Sequence, residues 1–474
     1  MHIIGINQFS HDAAISVLKN GQVVFAAHEE RYSKIKNDWY LGSEIVQEAL
    51  SFGEPDIIAY YEKPILKKIR CKLFGGHYSS YQKLELGART KTVKHHKSHA
   101  AAGYYTSKFD RALIIVVDSI GEFETATAWI GDKDELKQVY SVKYPFSFGL
   151  FYSAFTEAIG FKPNEEEYIM MGLSAYGEKE RYVKEIEPLF PRWNVQKYNF
   201  HYGVDLREIG IIEPVDSDIA ATVQFIFEKR LFEFIHAMQV ATNIFDNLVL
   251  SGGCALNATA NGKIRKMCKK LWINPNPGDS GSSLGAALAV FKRHIHVDNM
   301  FLGTDINRQF KVDKIIKSLK EKGLAAVASG RAEFGPRALG NRSIFGDASL
   351  PDIQDIVNKY KGREAFRPFG CVVLEHLAHE WFDIDYPSPY MKETFRCLRR
   401  DEIPGVVHED GSTRVQTVNE KQHKDLFELL SKWNNQTGVP LLLNTSLNIK
   451  GQPIINDEKD VAAWNKKNKG LQII

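Results

Sequence analysis

No two cysteines in this sequence stand in a C-x-x-C pair. The five present (Cys71, Cys254, Cys268, Cys371 and Cys397) are scattered over 474 residues. That excludes a zinc ribbon, argues against a disulfide framework and points to a reducing compartment. No apolar run approaches a membrane span, and Met1-His2-Ile3-Ile4-Gly5 opens directly as a strand, without a signal-peptide pattern. A cytoplasmic protein with no membrane partner is expected. An excess of one charge is also missing. The formal net charge of +3 is too small to argue for nucleic acid or lipid, and the clusters Lys67-Lys68-Ile69-Arg70 and Lys266 to Lys270 read as solvated faces. What remains is an ordinary globular composition, 44% hydrophobic and 25% charged, long enough for about three units of roughly 150 residues.

The densest chemistry lies in His95-His96-Lys97-Ser98-His99 and the small, helix-forming residues after it. On a helix His95 and His99 stand one turn apart on one face, so both imidazoles can reach one ion. The apolar run Ala112 to Val117 reads as a buried strand ending on Asp118, which adds a hard oxygen ligand. Two nitrogens and a carboxylate suit a first-row divalent metal such as iron(II) better than calcium. The competing reading is a histidine-rich turn satisfied by the core.

Upstream, Ile3 to Ile6 is a strand whose polar turn leads to His11-Asp12-Ala13-Ala14. Two further strands, Ala14 to Leu18 and Gln22 to Ala27, are joined at Lys19-Asn20-Gly21. Such a meander opens the nucleotide-binding lobes of actin-like ATPases, among many folds. A charged helix is expected over Glu29 to Lys36, and a core helix over Ile219 to Thr242. Asn247 to Leu250 reads as a strand opening onto Ser251-Gly252-Gly253, whose backbone N–H groups and following helix suit a phosphate. Asp279 begins a helix, as a ligand or a plain N-cap. A second α/β region is expected beyond a boundary near residue 305. It is dense in arginines: Arg331, Arg337 and Arg342 in one apolar loop, then Lys361, Arg363, Arg367 and Arg414. Buried guanidinium groups need anionic partners, so a multi-phosphate or acyl-adenylate pocket is expected rather than an internal salt-bridge network.

Taken together these motifs resemble the NodU/CmcH family of O-carbamoyltransferases. The likeness runs through G-I-x-x-x-x-H-D-A-A (Gly5 to Ala14), E-E-R (Glu29 to Arg31), H-H-x-x-H-A-A (His95 to Ala101) and D-x-x-G-E (Asp118 to Glu122). It continues with M-G-L-x-x-Y-G (Met171 to Gly177), S-G-G-x-A-L-N (Ser251 to Asn257) and G-D-x-G-x-x-L-G-A-A (Gly278 to Ala287). E-F-G-P-R-A-L-G-N-R-S (Glu333 to Ser343), F-R-P-F (Phe366 to Phe369), R-V-Q-T (Arg414 to Thr417) and L-N-T-S-x-N (Leu443 to Asn448) complete it. The resemblance implies an α/β protein with an actin-like (RNase H-like, TsaD-like) N-terminal domain over 1–305 and a YrdC-like domain over 306–474. It implies that carbamoyl phosphate and ATP, with its Mg2+, form carbamoyl-adenylate in the second domain. There Arg337 and Lys361 would be catalytic, with Arg363, Arg414, Asn444 and Ser446 as further binding residues, and Gly252, Gly253 and Asn257 would bind nucleotide in the first. His95, His99, Asp118 and Asp279 would hold a divalent metal, expected to be Fe(II). His11 would be the general base, a neutral imidazole near pH 7, and Lys36 would balance charge beside it. The carbamoyl acceptor is expected to be a hydroxyl of a small molecule, a sugar or a hydroxymethylated nucleotide, and a homodimer is compatible.

Two departures stand out. The family's E-G-K-x-M-G is here Glu167-Tyr168-Ile169-Met170-Met171-Gly172, so the lysine is lost, and L-N-T-S-F-N has Leu447 in place of phenylalanine. Hydrogenase maturation is disfavoured, because its acylphosphatase module and cysteine zinc motifs are missing. A nucleotide-binding regulator that has lost catalysis is the remaining alternative, opposed by the retained histidines, aspartates and Lys361.

Overall fold

The N-terminal meander forms β1 (His2–Asn7), β2 (Ala14–Lys19) and β3 (Gln22–His28). Asn20 and Gly21, between β2 and β3, both take positive φ, 52° and 83°, the backbone that matches the twist of a tight hairpin. The structure, a computed structural model, describes residues 1–75 and 87–474. It divides into two units, Met1–Glu29 with Trp39–Val297, and Glu30–Asp38 with Asp298–Ile474. The change of unit expected near 305 therefore falls at Val297 to Asp298. Glu30–Asp38 groups with the second unit, for which the sequence held no signal.

In the first unit, β4 (Ile57–Tyr60) and β5 (Arg89–Thr92) complete a sheet in the order β3-β2-β1-β4-β5, with β2 antiparallel and β4 parallel to β1. The same order returns in β6 (Arg111–Gly121), β7 (Glu124–Asp132), β8 (Glu135–Lys143), β9 (Asn247–Ser251) and β10 (Lys270–Ile273), arranged β8-β7-β6-β9-β10. Again the second strand is antiparallel and the fourth parallel to the first. Two α/β halves of one topology make the duplicated core of an actin-like fold. β8 has no counterpart in the sequence reading, because this edge strand alternates exposed and half-buried residues and offers no apolar run. The helix Ser282–Phe291 packs against β1 and the helix His95–Thr106 without room for side chains at the crossings. A Cβ on Gly5 would lie 1.9 Å from Ser283 O, and one on Gly285 2.0 Å from Ser98 O. The 27-residue helix Asp216–Thr242 covers β6 with Val223, Phe227 and Phe234 and stops at Asn243, in left-handed backbone.

The second unit is also α/β. Its strands are β11 (Phe301–Asp305), β12 (Leu324–Ala328), β13 (Arg331–Glu333), β14 (Arg342–Gly346), β15 (Gly370–Leu374), β16 (Thr394–Arg396), β17 (Ser412–Val418) and β18 (Leu441–Ser446). Six of them form the sheet β12-β14-β18-β15-β17-β16, and β11 pairs with β13. Helices Val312–Lys322 and Lys424–Thr437 bury Ile315, Leu319, Leu426 and Trp433 on one face. Ile353, Val357, Trp381 and Trp464 fill the other. Truncating a buried residue such as Trp433 costs about 3–5 kcal/mol. The charged helix expected over Glu29 to Lys36 is confined to Glu30–Ser33, because Lys34 and Asn37 take left-handed backbone, φ 64° and 54°. No helix among the described residues is long and apolar enough to cross a membrane.

Candidate active centres

His95 and His99 project from the first turn and a half of the helix His95–Thr106 and meet Asp118 of β6 and Asp279. His99 Nε2 lies 3.0 Å from Asp118 Oδ2, 3.2 Å from Asp279 Oδ1 and 3.1 Å from His95 Nε2, and His95 Nε2 lies 2.9 Å from Asp118 Oδ2 and 3.5 Å from Asp279 Oδ1. Ligands about 2.0–2.2 Å from one ion and roughly 90–110° apart are separated by about 2.8–3.6 Å. The donor set therefore fits one divalent cation. The two imidazole nitrogens are only 3.1 Å apart, so two protons there would repel, whereas both lone pairs can be donated to one ion. Assigning the His99 proton to Nδ1, 3.1 Å from Ser282 Oγ, leaves Nε2 as a lone-pair donor.

The frame explains the spacing. Asp118 Oδ1 accepts the N–H of Ser119 at 2.8 Å, turning Oδ2 towards the histidines. Gly121 leaves space for the His95 ring, since a Cβ there would lie 2.2 Å from it. Asp279 is not a helix cap; Gly281 occupies that position without a side-chain bond. His96 turns into the core, with Nδ1 3.0 Å from Thr127 Oγ1. Burial and the neighbouring His95 hold its pKa well below the ordinary histidine value.

Electrostatics show what the centre lacks. Burial lowers His99, but Asp118 and Asp279 outweigh it and raise the ring to about 9. Burial would raise both aspartates, yet the histidines hold each below the usual carboxylate range. Without a cation, the two carboxylates draw protons onto the imidazoles. His11 stands at the edge, its side chain 47% exposed, with Nε2 3.8 Å from Asp279 Oδ2 and Nδ1 3.5 Å from Asp12 Oδ2. Loss of surrounding water lowers His11, while Asp12, Asp279 and Asp118 raise it to about 10. The neutral imidazole expected near pH 7 is therefore not the state of the cation-free centre, because uncompensated carboxylates surround it.

Other expected residues have protein partners. Gly252 donates its N–H to Pro277 O at 2.9 Å, and Gly253 makes a long contact, 3.4 Å, to Asp118 Oδ1. Gly252 has φ 94°, and a Cβ there would lie 2.2 Å from Val117 O. These glycines let the chain cross the end of β6 and present no free N–H cradle. Asn257 caps the helix Ala258–Ile264 and pairs with Gln224 at 2.9 Å. Lys36 pairs with Glu30 at 2.6 Å in the second unit.

In the second unit the arginine loop divides into frame and site. Arg342, fully buried, donates to five carbonyls, those of Ser329, Asn341, Thr304, Gly330 and Asn456. Arg331 donates to Leu302 and Gly303 carbonyls. Neutral backbone carbonyl oxygens thus take the place of the anionic partner expected for these two guanidinium groups. Glu333, which carried no assigned role, folds the loop. Its Oε1 accepts the N–H groups of Leu339, Asn341 and Arg342 at 2.8, 2.9 and 3.2 Å. Gln416 binds Leu339 O at 2.9 Å, and Asn444 binds Gln416 Oε1 at 2.8 Å. Asn444 therefore holds the loop that carries Arg337. A lone glutamate before Phe334-Gly335-Pro336 and a glutamine in a strand gave the sequence no signal of this clamp.

Arg337 belongs to a set of cations. Burial first, then Arg337, Arg363 and Arg367, push Arg414 well below the usual arginine range. Burial, Arg337 and Arg414 do the same to Lys392, which no motif marked. Lys361 ends the helix Ile353–Lys361. Its Nζ reaches Ser446 O at 2.5 Å and Asn448 Oδ1 at 2.9 Å, and burial with Arg363 and Arg367 lowers it strongly. Arg363 lies over the Phe369 ring at 3.9 Å. The structure thus gathers Arg337, Lys361, Arg363, Arg414 and Ser446, as the motifs implied, and adds Arg367 and Lys392. Cations gathered this closely, two of them buried, repel one another and favour an anion carrying several charges.

Comparison with known proteins gives the family. Residues 58–288 match the family model described as carbamoyltransferase N-terminus, and 316–473 the one described as carbamoyltransferase C-terminus. An uncharacterized protein of Synechocystis is 30% identical over 97% of this chain and 93% of its own. Nodulation protein NolNO of Sinorhizobium fredii is 27% identical over 96% of this chain and 76% of its own. Nodulation protein U of Rhizobium tropici is 34% identical over 46% of this chain and 41% of its own.

Proposed function

We propose, because this chain belongs to the carbamoyltransferase family, that it transfers carbamoyl groups to an alcohol in two ATP-dependent steps. The observation that carries this reading is one cluster of cations, with Lys361 and Lys392 buried and Arg337, Arg363, Arg367 and Arg414 half-buried. Such a set meets the charge of ATP and of a phosphoryl transition state with fixed donors. In the first step a carbamoyl oxygen bonds to the α-phosphorus of ATP as pyrophosphate leaves. Balance requires carbamoyl phosphate to lose its own phosphate to water, so orthophosphate and pyrophosphate are released together. Lys361, held by Ser446 and Asn448, and Arg337, held through Glu333, keep their charges in place while the leaving group departs.

In the second step the acceptor oxygen bonds to the carbamoyl carbon, the bond from that carbon to AMP breaks, and the hydroxyl proton passes to His11. Half exposed at the edge of the centre, His11 is reachable by an acceptor. A divalent cation held by His95, His99, Asp118 and Asp279, with iron(II) the expected ion, would polarise a carbonyl oxygen. Compensating the two carboxylates would also weaken the field that keeps His11 protonated, leaving the imidazole unprotonated and able to accept the hydroxyl proton. The test is pyrophosphate release from ATP without acceptor. Release that depends on carbamoyl phosphate supports the first step; ATP turnover indifferent to carbamoyl phosphate, from folded and metal-loaded protein, sinks it.

A further inference from the structure

Lys67, which the sequence places in a solvated cluster, is buried with Glu62 beside the loop that carries His11. Their side chains are 9% and 4% exposed, and Lys67 Nζ donates to Glu62 Oε1 at 2.7 Å. Lys67 sits on the helix Pro64–Phe74, which is turned against its own hydropathy. Lys67 and Cys71 face inward, while Ile65, Ile69 and Leu73 are exposed. A buried ion pair is a poor source of stability, because lost hydration offsets most of the attraction. An apolar side chain at position 67 would cost less, so the charge answers to what it holds.

It holds the loop Phe9–Asp12. The same Nζ donates to Phe9 O at 2.7 Å, Phe9 N–H donates to Trp39 O at 2.7 Å, and Asn7 Nδ2 donates to Asp12 O at 2.8 Å. Phe9 and Asp12 keep φ 67° and 56°, backbone that non-glycine residues hold where their surroundings over-determine it. His11, between them, stands 3.8 Å from Asp279. The residues around Glu62 grip the other side of the centre. Tyr61 N–H donates to Ile6 O at 3.0 Å, Ser98 Oγ donates to Tyr61 O at 3.0 Å, and the Tyr61 ring lies 5.1 Å from that of His95. Lys63 N–H donates to Glu122 Oε1 at 2.7 Å, next to the Gly121 that seats the His95 ring. One short stretch, Tyr61 to Lys67, therefore touches both the His11 loop and the helix His95–Thr106.

We propose that Glu62 and Lys67 are positioning residues for carbamoyl transfer, their ion pair fixing the Phe9 carbonyl, and with it the His11 ring, relative to the centre of His95, His99, Asp118 and Asp279. The inference goes beyond the two-step reading and rests on it. Neither residue meets a reacting atom; the pair acts through the backbone of the loop. Displacing a reacting group by about 1 Å costs up to about a hundredfold in rate, so a loosened loop shows in turnover.

The experiment uses the full, metal-loaded chain, its Lys67→Met variant and the double variant Glu62→Met with Lys67→Met. Removing the cation alone strands a buried carboxylate and lowers the thermal midpoint, whereas replacing both charges by apolar side chains restores it. Three further quantities are read: carbamoyl-phosphate-dependent pyrophosphate release, amide hydrogen exchange of the peptide spanning Phe9–Asp12, and AMP release above the His11→Asn background. Glycerol is the probe alcohol for AMP release, with water as the competing acceptor. Both variants should keep pyrophosphate release, exchange the loop amides about tenfold or more faster, and release AMP about ten- to a hundredfold more slowly. The half-saturating glycerol concentration should stay within about twofold. The double variant decides, since its stability should return while its transfer does not. Transfer that recovers with the thermal midpoint, unchanged loop exchange, or pyrophosphate release that falls in step with AMP release would each overturn the positioning role. Absence of pyrophosphate release, or of AMP release above the His11→Asn background, in the unsubstituted chain would instead overturn the two-step reading, and this inference with it.

Discussion

The two units pose opposite electrostatic problems. Around Asp118 and Asp279 the first gathers carboxylates whose only balancing protons sit on imidazoles. Around Arg414 the second gathers several cations, which repel one another. Each arrangement costs stability alone and is relieved by the opposite charge, a divalent cation in one and a polyanion in the other. In both, hydrogen bonds do the orienting: Ser119 N–H and Ser282 Oγ in the first, Asn448, Ser446 and Glu333 in the second.

That contrast can be broken in four ways. His11→Asn should lower carbamoyl transfer by about a hundredfold to ten-thousandfold and leave pyrophosphate release intact, as single-turnover assays of both products would record. Lys361→Ala should do the reverse, cutting pyrophosphate release by about a hundredfold to a thousandfold; if both variants lose the same step, the division between the units is wrong. His95→Ala should weaken metal retention at least about a hundredfold, read as metal content after dialysis, with pyrophosphate release unchanged.

The smallest effect is on pH-dependent stability. In metal-free protein the His99 ring is raised from 6.5 to about 9. Its contribution is therefore complete below pH 6.5 and lost as the pH rises through 9. His423, which caps the helix Lys424–Thr437 and bonds Asn341 at 2.9 Å, is lowered from 6.5 to about 4 by burial. Its contribution is complete above pH 6.5 and lost as the pH falls through 4. The thermal midpoint should thus fall by a few degrees on each limb. His99→Gln should flatten the alkaline limb and His423→Asn the acid one; the opposite pairing would contradict the contrast.

How much of this was legible in the sequence follows from the range of each signal. His95 and His99 were readable because a helix fixes their spacing, and Asp118 because a strand ends on it. Asp279 left two readings open, which only the neighbouring Gly281 cap resolves. The arginine loop was found but over-read, since Arg331 and Arg342 look like Arg337 until their carbonyl partners are seen. Gly252 and Gly253 answer a second demand that the motif does not reveal, since close approach to β6 requires the same residue as close approach to a phosphate. Glu333, Gln416 and Lys392 act through contacts made by folding, and no local pattern announces them.

The repeated strand order carries an evolutionary consequence. Each half of the first unit has a short polar side chain where the regular pairing of its first strand stops, Asn7 in one and Asp118 in the other. Asn7 anchors the loop that carries His11, and Asp118 faces the paired histidines. The two halves thus use the ends of their first strands differently, one to fix a loop and the other to present a carboxylate. Drift in acceptor choice has the least constrained path through the segments that rim His11, because the crossing helices behind leave no room for added side chains at Gly5 and Gly285.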